Sequence, residues 1–110
     1  MPFVYDDRVI GKWRSVGFVD KIESFSPEEQ NDGLYLETIE FYPDGRAVQK
    51  YMDDEWQDKW TKGFLLNLHR TTAAAYELRE IDGTEYLFLE WKMGNYIYGG
   101  MKPDIYVFVQ

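Results

Sequence analysis

Apolar and polar positions alternate along most of this chain with a period of two, in runs of five to ten residues separated by turn signals. The pattern predicts about eight strands. The first covers Lys12 to Glu23 and the second Leu34 to Tyr42. Pro43-Asp44-Gly45 follows as a turn in which proline presets φ and glycine accepts positive φ, so a third strand, Arg46 to Met52, returns antiparallel. A fourth is expected from about Trp56 to Leu68, with Trp60, Lys62, Phe64, Leu66 and Leu68 on one face. Asp82-Gly83 is a hairpin signal joining Ala74–Ile81 to Thr84–Met93. Gly94-Asn95 turns into Tyr96–Tyr98, Gly99-Gly100 breaks again, and Ile105 to Val109 closes the series.

Helix finds one place and one rival. Ser26-Pro27-Glu28-Glu29 is a capping-box pattern with proline at the first helical position, which predicts a short helical segment near residues 26 to 31. The run Ala73-Ala74-Ala75 favours helix by propensity, but Tyr76 and Leu78 alternate with Glu77 and Arg79 and lead straight into Asp82-Gly83, so that stretch is read as strand. Eight strands in consecutive hairpins leave two raw edges unless the sheet curls shut. The expected fold is therefore all-β, an eight-stranded antiparallel up-and-down β-barrel, with an open two-sheet sandwich as the alternative.

With 110 residues and no linker-like stretch, one domain spanning residues 1–110 is expected. Apolar residues make up 45% of the chain and aromatic residues 18%, enough to fill a core. The net charge of −8 disfavours a nucleic-acid partner, because acidic surface repels a phosphate backbone. Zero cysteines and a single histidine, His69, leave no thiolate chemistry and no multi-histidine metal site. No apolar run approaches the length of a membrane span and Met1 to Arg8 has no signal-peptide form. The expectation is a soluble protein, cytoplasmic or an excised extracytoplasmic domain.

Gly11-Lys12-Trp13, at the start of the first strand, resembles the G-x-W signature of the lipocalin and fatty-acid-binding-protein superfamily, the calycins. The resemblance implies a lipocalin-like barrel in which Trp13 plugs one end and Gly11 lets the incoming backbone pass close. A wider likeness runs through Pro2-Phe3-Val4, Gly11 to Val16, Trp60-Thr61-Lys62-Gly63, Glu90-Trp91-Lys92 and Met101-Lys102-Pro103. This order is similar to small lipocalin-like modules of Bacillus-type bacteria, found beside or fused behind membrane metallopeptidases of the antibiotic-sensing regulator type. The chain departs from that pattern at Met93-Gly94-Asn95-Tyr96, where a more polar Ser-Gly-Asp-Tyr is expected, and it holds no H-E-x-x-H peptidase motif.

Candidate binding residues follow from the strand faces. Trp60 and Lys62 could form an aromatic wall with a cationic anchor for a carboxylate or phosphate group, though a core tryptophan beside a snorkelling lysine is the preferred reading. Glu90 and Lys92 share a face with Tyr86 and Phe88, opposite Leu87, Leu89 and Trp91. If the leucines point inward, Glu90 and Lys92 form a solvated outer face, again the preferred reading; in the other register they join Lys62, Tyr76 and Tyr96 as a polar ligand floor. The acidic patch Asp53-Asp54-Glu55 with Asp58 lacks EF-hand spacing and is read as a solvated connection. No nucleophile with a base partner, phosphate loop, metal site or cofactor motif is visible. The expected function is non-enzymatic: a small-molecule-binding or sensor module for an amphipathic or anionic ligand. The alternative is a filled barrel that serves as a protein-interaction or structural domain.

Overall fold

The structure, a computed structural model, describes residues 3–30, 33–67, 72–91 and 104–110. Eight strands follow one another: β1 (Gly11–Val19), β2 (Leu36–Phe41), β3 (Arg46–Tyr51), β4 (Glu55–Thr61), β5 (Phe64–Asn67), β6 (Thr72–Ile81), β7 (Thr84–Trp91) and β8 (Asp104–Val109). Each pairs antiparallel with the next, and β8 returns to β1, so the sheet closes as an up-and-down barrel. The expected fold class is the one observed, and closure removes the raw edges that an open meander would expose.

Two elements differ from expectation. The long fourth strand is two: the chain reverses at Lys62-Gly63, and β4 pairs with β5 through Trp60↔Leu65 and Thr61↔Phe64. Gly63 has φ +91, a conformation open to glycine at little cost, and this overrides the apolar alternation across it. Trp60, Lys62, Phe64 and Leu66 therefore do not share a face: Trp60 and Leu65 are buried, while Lys62 and Phe64 are exposed. The expected strand at Tyr96–Tyr98 lies outside the described residues. The helical segment is also displaced. A 3-10 turn forms at Ile22–Ser24, and Ser26 to Glu29 makes one backbone turn, Glu29 N–H to the Ser26 carbonyl at 2.9 Å, without continuing as helix. The capping pattern meets no apolar periodic stretch after it, so a helix nucleus has nothing to propagate into.

The other local signals act as their chemistry dictates. Asp82 and Gly83 both have positive φ (51° and 82°), the type I′ geometry whose twist matches the strands it joins. The Ala73–Ala75 run is strand, because β6 is held by β5 on one side and β7 on the other, and pairing outweighs a small helix preference.

Alternation sorts side chains to two faces. Trp13, Ile39, Phe41, Ala47, Trp60, Leu65, Leu87, Leu89 and Phe108 pack together inside the barrel. Fully burying a leucine or phenylalanine stabilises by about 1.5–3 kcal/mol, so this cluster is the main source of stability. A second buried cluster, Val16, Phe25, Tyr86, Phe88 and Val107, involves the opposite face of β1, β7 and β8. A register shift between Ser15 and Gly17 in β1 lets Ser15 pair with Phe108 and Gly17 with Val107.

Candidate functional site

The two ends of the barrel differ in construction. The tight turns 42–45, 62–63 and 82–83 and the incoming N-terminal segment lie at one end, and the long β1–β2 connection and the short 52–54 turn at the other. At the turn end, the N-terminal segment docks through Val4, whose N–H donates to Thr61 Oγ1 (2.7 Å) and whose carbonyl accepts from the Lys62 N–H (2.8 Å). Phe3 then meets Trp60 edge-on at 5.1 Å, as Phe41 does from inside at 5.6 Å. Trp13 is 1% exposed, and its indole N–H donates to the Val9 carbonyl at 2.8 Å. Gly11 opens β1 with φ +119 beside the Gln110 side chain. Trp13 is thus a buried cap with its one polar atom satisfied.

A buried carboxylate locks this closure. Asp6 accepts two hydrogen bonds from the Arg8 guanidinium, both 2.9 Å, one from the Arg8 backbone N–H at 3.2 Å and one from the Tyr76 hydroxyl at 2.9 Å. The Arg8 hydrogen bonds outweigh burial and hold Asp6 down at about 2. Burial, aided by the Asp6 carboxylate, pushes the Tyr76 phenol up to about 12. Asp6 is therefore charged and Tyr76 neutral across the physiological range.

Towards the other end, the inner wall of β3 and β4 carries polar side chains. Gln49 is 1% and Asp58 3% exposed. The Gln49 amide donates to Asp58 Oδ2, and the Tyr51 hydroxyl donates to Gln49 Oε1 at 2.6 Å. Burying amide and carboxylate without partners costs several kcal/mol, so this line is stable only as a connected set. Aromatic rings continue it outward: Tyr51 lies 5.1 Å from Tyr35 and 6.2 Å from Trp56. Across the barrel Phe18 stacks on Tyr106 at 4.5 Å. Tyr35, Met52 and Phe18 are exposed by 48%, 57% and 38%, which makes an apolar rim above the polar line.

The candidate residues read from the sequence do not assemble into one site. Trp60 is core, its indole N–H given to the Tyr42 carbonyl at 2.8 Å. Lys62 sits exposed in the β4–β5 turn at the closed end, so it cannot anchor a ligand head group beside Trp60. Tyr76 faces inward but is committed to Asp6. Glu90 is on the outer face with Tyr86 and Phe88 while Leu87 and Leu89 point in, the preferred of the two registers. Its carboxylate accepts from the Ala75 N–H at 3.1 Å, replacing a ladder bond just past Tyr76↔Leu89, the last paired position of β6 and β7. Lys92 and Tyr96 lie outside the described residues.

Three buried polar residues, two on the inner wall and one in the N-terminal segment, are absent from the candidates above. Asp58 was expected in a solvated acidic patch; Asp53, Asp54 and Glu55 are indeed exposed, but Asp58 faces the lumen. The signal for it was available, since Asp58 is two positions from Trp60 on the same strand face. Gln49 sits likewise between Ala47 and Tyr51. Asp6 carried no periodic signal at all. Along β2, β3 and β4, a groove of about 410 Å³ is lined by Glu40, Tyr42, Arg46, Ala47, Val48, Glu55, Gln57, Asp58 and Lys59. Three carboxylates there face Arg46 and Lys59, and Arg46 is already shared between Asp44 (2.8 Å) and the Tyr42 ring (4.8 Å), so the groove presents no concentrated field.

Among the described residues no helix is long and apolar enough to cross a membrane, and no three or more histidine or carboxylate groups gather as a metal site. Compared with known proteins, the chain matches no family model, no curated protein and no solved structure, so the fold rests on its own strand pairing: an all-β barrel compatible with a lipocalin-like architecture.

Proposed function

We propose that this protein is a non-enzymatic binding module of lipocalin-like type, which takes a small amphipathic molecule into the barrel from the end opposite the Trp13 closure. The observation that carries the reading is the Tyr51–Gln49–Asp58 line, polar side chains buried on the inner wall of β3 and β4 below an aromatic rim. A barrel that served only as a packed scaffold gains nothing from an amide and a carboxylate inside it, because apolar residues of equal volume are as stable or more so. A few fixed polar groups in an otherwise apolar recess are what a small-molecule site requires. Lys62, at the closed end, has no place in this site, and Gln49, Tyr51 and Asp58 suit a ligand that hydrogen-bonds rather than an anion held by lysine.

The test is to purify the protein, denature it and search the extract by mass spectrometry, with the native mass measured in parallel. A stoichiometric molecule whose retention falls in the Gln49→Leu variant supports the reading. An empty native protein overturns it in favour of a filled barrel that acts through protein contacts.

A further inference from the structure

The polar line inside the barrel has a direction as well as a position. An ionised carboxylate only accepts hydrogen bonds, so Asp58 turns the Gln49 amide with its NH2 group toward Oδ2. Gln49 Oε1 then faces Tyr51, and the bond between them forms only if the Tyr51 hydroxyl gives its one proton. Both bonds therefore run toward Asp58. With its proton committed, the Tyr51 oxygen at the outer end of the line can do nothing but accept, and the same holds for the carboxylate at the inner end. A ligand that joins this line has to bring the donors.

Strand register sets aromatic rings beside these acceptors. On the β3–β4 ladder Trp56 stands across from Gln49, and Ala47, a single methyl, across from Asp58. The Tyr51 ring lies 6.2 Å from Trp56 and 5.1 Å from Tyr35. The Trp56 indole N–H is given to Asp54 at 2.8 Å, so what the ring offers a ligand is its π-face, which attracts cations. The 52–54 turn and the start of β4 bring Asp53, Asp54 and Glu55 to the same mouth, all exposed. Their field reaches the rings: burial first, and then the Asp53 and Asp54 charges, push the Tyr35 phenol up.

We propose, resting on the reading of the barrel as a binding module, that its ligand is an organic cation, a protonated amine on an apolar body, with the ammonium group toward Asp58. An ammonium supplies the N–H donors that the line accepts, and it supplies the charge that a buried carboxylate and aromatic faces attract. The exposed acids of the mouth raise the local concentration of such a cation and speed its entry. A carboxylate of the same size is repelled by these groups, and an alcohol brings a donor without the charge.

The test compares three probes with one apolar chain, hexylamine, 1-hexanol and hexanoate, by isothermal titration into the whole protein at pH 7 and low salt. Hexylammonium is expected to bind at least about tenfold more tightly than hexanol, with hexanoate weaker than either. Asp58→Asn should lower the hexylammonium affinity about tenfold and leave hexanol unchanged. Glu80→Gln removes the same charge from an exposed position near the 82–83 turn and should change none of the three, which separates the site from the net charge of −8. If thermal melting shows that Asp58→Asn does not fold, Trp56→Leu takes its place, with a loss of about threefold for hexylammonium and less for hexanol. Equal affinities for hexylamine and hexanol overturn the cation while leaving the barrel a binding module. Absence of binding by all three also overturns it, and the co-purified molecule then decides the binding module separately.

Discussion

Replacing Asp6 with asparagine removes one negative charge from a site where the charge is held by two hydrogen bonds from the Arg8 guanidinium, one from the Arg8 backbone N–H (3.2 Å) and one from Tyr76. Asp6 is 4% exposed, so solvent screening is weak, and its carboxyl is lowered from the usual 3.8 to about 2. A depressed folded-state pKa contributes stability that is present above the unfolded value and is lost as pH falls through the folded one. The window is therefore about pH 4 down to pH 2. At about 1.4 kcal/mol per unit, the wild-type protein loses roughly 2 kcal/mol across it from this group. Asp6→Asn, which cannot titrate, loses none from this group, while all other carboxylates titrate in both proteins and cancel in the difference. Urea denaturation at half-unit intervals from pH 5 to pH 2 gives the two curves. The expected result is a wild-type advantage above pH 4 that shrinks by roughly 2 kcal/mol at pH 2. Parallel curves would show that the clamp is not formed and that Asp6 is solvated, leaving the N-terminal segment without its lock on the barrel. Tyr76→Phe serves as the control: Arg8 remains, so most of the pH dependence survives.

Three other substitutions test separate parts of the architecture. Trp13→Ala should cost roughly 3–5 kcal/mol in denaturant unfolding, since it empties a large buried volume and strips the Val9 carbonyl of its donor; a loss below about 1 kcal/mol refutes its role as the barrel cap. Gly17→Ala sets a methyl 3.1 Å from the Phe25 ring against the stability that alanine gains over glycine in the unfolded chain, so Phe25→Leu in the same chain, which relieves the contact, should shift the substitution toward stabilisation in urea unfolding; no shift refutes the Phe25–Gly17 contact. Lys62→Met should leave both stability and any ligand retention unchanged, because the side chain is exposed in a turn at the closed end; a loss of retention would return Lys62 to the site.

The barrel was legible because period-two alternation and turn chemistry are local. Asp82-Gly83 carries its hairpin in two residues, and Leu87 and Leu89 declare the inner face of β7 by their spacing alone. Lys62-Gly63 escaped for the same reason in reverse: with an apolar residue two positions away on each side, a single glycine does not interrupt the alternation, and only the pairing of Trp60 with Leu65 reveals the reversal. The candidate site was less legible. Trp60, Lys62, Tyr76 and Glu90 were grouped by strand face, whereas their roles depend on partners far along the chain. Tyr76 is fixed by Asp6, 70 residues away, and the fastening of Val4 to Thr61 spans 57. No periodicity encodes contacts of that kind.

These long-range fastenings fall unevenly, and the unevenness bears on function. Asp6, Val4, Phe3, Trp13 and Trp60 all converge on the end where the turns are tight, and each is satisfied by a partner on the barrel. Large apolar side chains stand exposed at both ends, Phe3, Val4, Tyr5 and Phe64 at the turn end and Phe18, Tyr35 and Met52 at the other, while the β1–β2 connection lies along the outer wall with Phe25 packed on Tyr86 and Phe88. Had the connection folded inward, Phe25 would have buried the rim and removed the cost of exposing it. The sequence instead provides Gly17 as a seat on the outside and keeps apolar residues at Val16, Phe88 and Val107, where a plain barrel needs polar ones. The polar line inside the barrel forgoes stability that apolar residues would give, whereas Val16, Phe88 and Val107 beneath Phe25 are buried apolar contacts that add to it. The inner polar line is the departure from the pattern of the rest of the chain, and it is where the proposed small-molecule ligand is best sought.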